Sequence, residues 1–238
     1  MSEPEGRGSL PAPPSEDRRA AAETAVEVLG GTPASIKREP VSPVRFVLPR
    51  GLSRRVGVFD RAVDRAFDER LRGRPLVDRV FYGASALGDY SLLWHIVNVA
   101  RSLRSGARHE RSGLRLVVAL GVESLAVNWG VKSLFRRARP VADHDRPRPR
   151  PLRTPRTSSF PSGHATSGFM AATLLARPER PASVPLWFGV AGVVAASRVH
   201  VRIHHASDVV GGALIGLGFG VVVRRLWPLR EGWGASRG

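Results

Sequence analysis

The chain has 238 residues, room for one sizeable domain, and carries 37 Lys and Arg against 20 Asp and Glu, a net charge of +17. It holds no cysteine, which excludes disulfides, thiolate metal sites and a cysteine nucleophile. The positive excess points to anionic partners: nucleic acid, acidic lipid or a phosphorylated substrate.

Residues 1–50 are rich in Pro, Gly, Ala and charge. So few large apolar side chains cannot offset the entropy of ordering, and a disordered polar tail is expected there. The opening MSEPEGRGSL has neither an apolar core nor a cleavage-site pattern, so no cleavable signal peptide is expected. Over 56–71 the pattern changes. Val56, Phe59, Val63, Phe67 and Leu71 recur at three- and four-residue steps, which predicts an amphipathic helix. It suits a membrane interface or packing on the domain's own core.

Five apolar runs follow. The first, 80–100, is interrupted by Asp89 and His95; Asp89 reads as a helix start. The second, 114–135, contains Glu123 and Lys132. A charge such as Glu123 inside a membrane helix is either functional or neutralised by a helix neighbour, and the two readings weigh equally. The others are 165–176, 184–196 and 207–223. A span needs roughly 20 apolar residues, so two runs reach only if flanking residues form their ends. Gly211, Gly212, Gly216, Gly218 and Gly220 suit close helix packing in lipid. Trp94, Trp129, Trp187 and Trp227 lie in or beside these runs as core or interface residues. Residues 1–75 hold 14 basic and 11 acidic side chains, the remainder 23 against 9. Those later cations cluster in short connectors, a membrane-protein pattern. The expected fold is all-α: a multi-pass membrane helical bundle with about five transmembrane helices and a preceding amphipathic helix. The domain covers 51–226, followed by a polar tail over 227–238. A soluble helical bundle is the alternative, disfavoured by the arginine-rich connectors. Among these, 143–156 is a Pro/Arg loop that no continuous helix can cross.

Three fragments beside these runs carry the chemistry. In the first, Lys132, Arg136 and Arg139 stand at i, i+4 and i+7, one helical face, before Pro140 stops the helix. Arginine forks and a lysine point charge suit phosphate, although membrane helices also end in snorkelling cations. In the second, Pro161-Ser162-Gly163-His164 opens an apolar run. Ser162 sits at an N-cap, and free amides at a helix start bind anions that Gly163 lets approach closely. In the third, Arg198 precedes His204 by six residues and Asp208 follows by four. A helix starting near His204 would put imidazole and carboxylate on one face, the carboxylate holding one ring nitrogen protonated and leaving the other as nucleophile. A zinc site of His200, His204 and His205 is disfavoured because nearby arginines repel a dication.

In order and without substitution, Lys-x6-Arg-Pro, Pro-Ser-Gly-His and Ser-Arg-x5-His-x3-Asp resemble the signature of the type-2 phosphatidic acid phosphatase family, integral membrane lipid phosphatases whose active site is related to that of vanadium haloperoxidases. The resemblance covers roughly residues 80–225. It implies that Lys132, Arg139 and Arg198 hold phosphate oxygens, aided by Ser162 and the Gly163 amide. It implies also that His204 attacks phosphorus to give a phosphohistidine, that Asp208 orients His204, and that His164 protonates the leaving oxygen and then activates water. Arg202 and the Pro/Arg-rich connector depart from the family outside its signature.

The expected activity is hydrolysis of a lipid phosphate or diphosphate: phosphatidic acid, phosphatidylglycerol phosphate or a polyprenyl phosphate or diphosphate. No metal or cofactor is expected. The expected partners are the phosphorylated lipid substrate and membrane lipids, not nucleic acid; oligomeric state is left open. A vanadate-dependent haloperoxidase and a non-catalytic basic protein binding anionic headgroups are the alternatives. In a serial helix arrangement the three fragments share one membrane face. Counting arginines in 101–115, 177–180 and 224–238 on the opposite side favours a cell-membrane protein with its site facing outward, although 133–160 carries eight arginines on the site's own side.

Overall fold

The computed structural model describes residues 50–105, 107–140, 157–177 and 179–229. Apart from Arg50, the expected disordered tail lies outside the described residues. So do the Pro/Arg loop at 143–156 and the polar tail beyond Leu229. Among the described residues the chain is all-helical, with no strand.

Helix α1 spans Arg50–Arg70. Helix α2 spans Pro75–Gly88, its start favoured by the proline at N1. Helix α3 spans Leu92–Ser105. Helix α4, Ala107–Leu125, runs on through a π turn at Ala126–Val131 and a last α turn at Lys132–Leu134. Then come α5 (Gly163–Leu175), α6 (Ser183–His200) and α7 (Ala206–Leu226).

Helix α5 is the axis of the bundle. Nearly all its residues are buried, and it packs chiefly against α7 and α6, with α4 on a further side. The α5–α7 seam is made by absent side chains. A Cβ on Gly212 would lie 2.5 Å from the Ser162 carbonyl oxygen, one on Gly216 2.2 Å from that of Thr166, and one on Gly220 2.6 Å from the Thr173 Cβ. Gly211 makes room for the Phe160 ring instead. Gly218, expected in the same packing face, has nothing within 4 Å of its Cβ position. Stepping by four keeps 212, 216 and 220 on one face and turns 218 away.

The outward faces are apolar. Leu114, Val118, Val122, Leu125 and Trp129 form an exposed stripe along α4, and Val210, Leu214 and Val221 one along α7. Trp94 is fully buried, so these tryptophans divide between core and surface. Among the described residues two helices are long and apolar enough to cross a membrane, Glu110–Leu134 and Ala206–Leu226. The 80–100 run is not one helix but two. Tyr90 and Ser91 adopt left-handed backbone at φ 52° and 58°, costly for residues with a Cβ, and the chain breaks there. At 14, 14 and 13 residues, α2, α3 and α5 are each short. At about 1.5 Å per residue they reach about 20 Å, less than a hydrocarbon core of about 30 Å.

Helix α1 departs from its expected pattern. Phe59 is exposed, with Leu52 and Val58, while the face turned to the bundle carries Asp60, Asp64 and Asp68 at i, i+4 and i+8. These carboxylates meet arginines. Arg72 bonds Asp64 at 2.7 Å and Asp68 at 3.0 Å while donating to the Val199 and His200 carbonyls. Arg202 grips Asp68 with one nitrogen at 2.6 and 2.7 Å. Burial would raise the Asp68 carboxyl, but Arg72 and Arg202 outweigh it and hold the group below the usual carboxylate range.

Candidate active site

The ends of α4 and α6 and the starts of α5 and α7 meet at one pole of the bundle. Toward the other pole Arg115, about a third of the way along α4 and its continuation, donates to the carbonyls of Leu174 and Trp227 at the ends of α5 and α7. The alternation of helix directions therefore places Lys132, Ser162, Gly163, His164, Arg198, His204 and Asp208 at one level.

The expected helical face of Lys132, Arg136 and Arg139 does not form. The helix stops at Leu134, and Phe135 is extended at φ −119° and ψ 139°. The Ser133 hydroxyl takes the Gly130 carbonyl at 2.5 Å, and the Phe135 ring turns to pack on Phe160 with centroids 4.6 Å apart. The extended segment brings Arg139 round another way. Its Nη1 donates to the Ile203 carbonyl at 3.0 Å and lies 3.2 Å from His204 Nε2. Lys132 Nζ is held by Asn128 at 2.8 Å and lies 3.8 Å from where a Cβ on Gly163 would stand. Arg139 and Arg198 are within electrostatic reach of Lys132. Three converging cations favour an anion among them. Glu123 is buried behind Lys132 and within reach of its charge.

Ser162 occupies the N-cap position of α5, as its spacing predicts, but its side chain does not cap the helix. Its Oγ is fully buried with no partner among the described residues, while its amide donates to the Asp208 carbonyl at 3.1 Å. A buried, unsatisfied hydroxyl beside the orphan amides of a helix start is suited to an oxyanion.

His204 and Asp208 are adjacent, but not through one helical face. Helix α7 begins at Ala206, with His205 at its N-cap, so His204 lies in the preceding loop. Asp208 is fully buried at the third helical position. Its Oδ2 accepts from the His205 amide at 2.9 Å and the Ser159 hydroxyl at 2.5 Å, and its Oδ1 from Arg137 at 2.6 Å. His204 Nδ1 is 3.6 Å from Asp208 Oδ2, longer than a hydrogen bond. Arginine can only donate, so the Arg139 contact assigns Nε2 as acceptor and leaves the proton on Nδ1, facing Asp208. Burial pushes the His204 imidazole down to about 4; Asp208 opposes this, and the charges of Arg139 and Arg198 add to it. The ring is neutral at pH 7 with its Nε2 lone pair toward the cations.

His164 Nε2 lies 3.1 Å from the Ser85 carbonyl and 3.2 Å from Asp89 Oδ1. Asp89 therefore does not simply start a helix; it caps the end of α2, its amide donating to Ala86. Arg198, 2% exposed, donates from Nη1 to the Ser85 hydroxyl. His200 stacks on Phe81 at 4.6 Å and bonds Asp78 at 2.8 Å, and His205 lies against the Ala138 carbonyl at 3.3 Å. Neither joins His204, and among the described residues no group of three or more His, Asp or Glu is placed to hold a metal.

Sequence reasoning missed Arg137, Ser159, Asp60, Ser85 and Asp89. Arg137 links three elements, reaching Asp208 and Ser207 at 2.6 Å and Asp60 at 2.5 Å. Asp60 also accepts from the Ser207 amide at 2.8 Å and its hydroxyl at 2.9 Å. The four-residue spacing of Asp60, Asp64 and Asp68 was the available signal. A cavity of about 330 Å³ opens beside His204, walled by α1 and by Arg137, Pro140 and Arg202.

Residues 112–231 match the family model described as the PAP2 superfamily. The decaprenylphosphoryl-5-phosphoribose phosphatases of two Mycobacterium tuberculosis strains are each 31% identical over 162 residues, covering 68% of this chain and 87% of theirs. The crystal structure of a transmembrane PAP2-type phosphatidylglycerolphosphate phosphatase from Bacillus subtilis superposes with a TM-score of 0.55 at 22% identity, covering 75% of this chain and 87% of that one.

Proposed function

The chain belongs to the PAP2 superfamily, and from that premise we propose that it is a membrane phosphatase that hydrolyses a lipid phosphate or diphosphate through a phosphohistidine. The observation that carries the reading is the setting of His204. Its neutral ring has one nitrogen facing Arg139 at 3.2 Å and the other backed by a buried carboxylate at 3.6 Å.

Lys132, Arg139 and Arg198 hold the non-bridging oxygens, with the Ser162 hydroxyl and the Gly163 amide. Negative charge on those oxygens is what such transition states concentrate, and fixed donors in a dry site stabilise it. His204 Nε2 bonds to phosphorus as the bond to the leaving oxygen breaks, and that oxygen takes a proton from His164. Water then gives its proton to His164 as its oxygen bonds to phosphorus. The nitrogen–phosphorus pair returns to His204, and phosphate departs. Asp208 stabilises the positive charge His204 carries while phosphorylated. No step calls on a metal or cofactor.

The substrate class is phosphatidic acid, phosphatidylglycerol phosphate or a polyprenyl phosphate or diphosphate. The names of the relatives, one acting on decaprenylphosphoryl-5-phosphoribose and one on phosphatidylglycerolphosphate, support this range. About five passes, with the site at the outward membrane face, complete the reading; apolar stripes on α4 and α7 support lipid contact.

Full-length protein in detergent should release phosphate from at least one of these lipids. His204→Ala should abolish release, and a radiolabelled donor should leave acid-labile label on the wild type alone. No release across the panel, or label persisting in His204→Ala, refutes the proposal.

A further inference from the structure

The corner between α2 and α3 is shaped around His164. A Cβ on Gly88 would lie 2.3 Å from His164 Cδ2, so only glycine leaves room for the ring. The next residue, Asp89, reaches His164 Nε2 at 3.2 Å, and the Ser85 carbonyl reaches the same nitrogen at 3.1 Å. Both atoms are acceptors, so Nε2 carries a hydrogen and the ring is fixed in one orientation. Immediately after Asp89, Tyr90 and Ser91 hold left-handed backbone, an arrangement kept only where surroundings impose it. Ser85 also receives Arg198 on its hydroxyl, so this corner touches both the second and the third motif.

We propose that residues 85–89 form a fourth segment of the site, in which Asp89 is a positioning residue for the proton that His164 transfers. This rests on the phosphatase reading above. With Nε2–H held by Asp89 and Ser85, the mobile proton is on Nδ1, which has no hydrogen-bond partner among the described residues. When the bond between phosphorus and the leaving oxygen breaks, that oxygen takes the Nδ1 proton, and His164 becomes neutral with Nε2–H still on Asp89. In the second step Nδ1 takes a proton from water. The Asp89 carboxylate stabilises the imidazolium that precedes the first step and follows the second. Each imidazole of the site then has its own carboxylate: Asp208 behind His204 Nδ1, Asp89 behind His164 Nε2.

The test is leaving-group dependence, which a purely structural role would not produce. A lipid alkoxide needs a proton to leave; nitrophenolate does not. In the full-length protein, Asp89→Ala and Asp89→Asn should lower kcat/KM for phosphatidic acid roughly 10- to 100-fold, less than most of the roughly 10²–10⁴-fold a general acid contributes, because His164 itself remains. The burst of nitrophenolate from p-nitrophenyl phosphate should keep its wild-type rate. Measured on phosphatidic acid alone, adding Asp89→Ala to His164→Ala should lower the residual rate by less than about twofold, since the two act as a unit. Equal loss on both substrates, or a full additional loss in the double variant, overturns the assignment of Asp89. A wild type inactive on both substrates would instead sink the phosphatase reading, and this inference with it.

Discussion

Replacing Arg137 with alanine tests how the site is held. Its guanidinium sits between two carboxylates, 2.6 Å from Asp208 Oδ1 and 2.5 Å from Asp60 Oδ2. Asp208 is fully buried and Asp60 is 7% exposed, so neither can turn to water when the cation is lost. Breaking a buried pair by removing one partner costs about 3–5 kcal/mol. Asp208 keeps Ser159 and the His205 amide, Asp60 keeps Ser207, and Arg137 is itself 29% exposed, which places the expectation at the lower end, about 3 kcal/mol. Denaturant unfolding in detergent micelles, followed alongside phosphate release, measures it. The double-mutant cycle with Asp60→Asn adds a sharper demand. Asp60 and Arg137 share a contact, so the double variant should lose less than the sum of the single losses by about 1–3 kcal/mol. Additivity within about 0.5 kcal/mol, or a loss from Arg137→Ala below about 1 kcal/mol, would refute the reasoning.

Gly216→Ala places a methyl group against the Thr166 carbonyl, backbone that cannot yield, and should sharply lower the thermal unfolding midpoint. Gly218→Ala, whose Cβ meets nothing within 4 Å, should stay within about 0.5 kcal/mol of wild type; equal effects from the two would refute the seam described for α5 and α7. Gly88→Ala should displace the His164 ring and cut lipid phosphate hydrolysis at least about tenfold, because a positioned acid contributes roughly 10²–10⁴-fold; wild-type kinetics would contradict this. Stability should also respond to acid through His204, whose folded imidazole is lowered to about 4. Between pH 6.5 and 4 the unfolded chain binds a proton there that the folded chain does not, so stability falls with falling pH by roughly 3 kcal/mol in all. Above pH 6.5 both states are neutral at this position and it contributes no slope. His204→Gln should flatten unfolding free energy against pH across that window; an unchanged slope would assign the effect elsewhere.

The all-helical class and the close-packing glycine run were legible because both are local patterns. Which glycines face α5 was not: of the five expected, Gly212, Gly216 and Gly220 form the seam, while Gly211 meets Phe160 and Gly218 meets nothing. The three signature fragments were legible as residues but not as geometry. Spacing of i and i+7 assumes an unbroken helix, and the Ser133 hydroxyl and Phe135 ring end that helix before Arg139. Spacing of four assumes that His204 lies on α7, whereas the helix begins two residues later and Asp208 points back to its N-cap. Arg137, Ser159, Ser85 and Asp89 could not be found by spacing at all. The partners of their side chains lie 49 to 113 residues away, and only the packing of separate helices brings them together. Asp89 reads in the sequence as a helix start, and it does open the short 3₁₀ turn Asp89–Ser91; what spacing could not show is that it also closes α2 and that its side chain reaches His164.

The acidic stripe of α1 bears on how far the chain can be trimmed from its front. A shortened protein beginning after residue 70 keeps every signature residue intact, yet it strips Arg137 and the Ser207 amide of Asp60, Arg202 of Asp68, and Arg72 of both Asp64 and Asp68. Whoever wants a minimal active fragment must cut ahead of Asp60, however dispensable that stretch looks by its hydropathy.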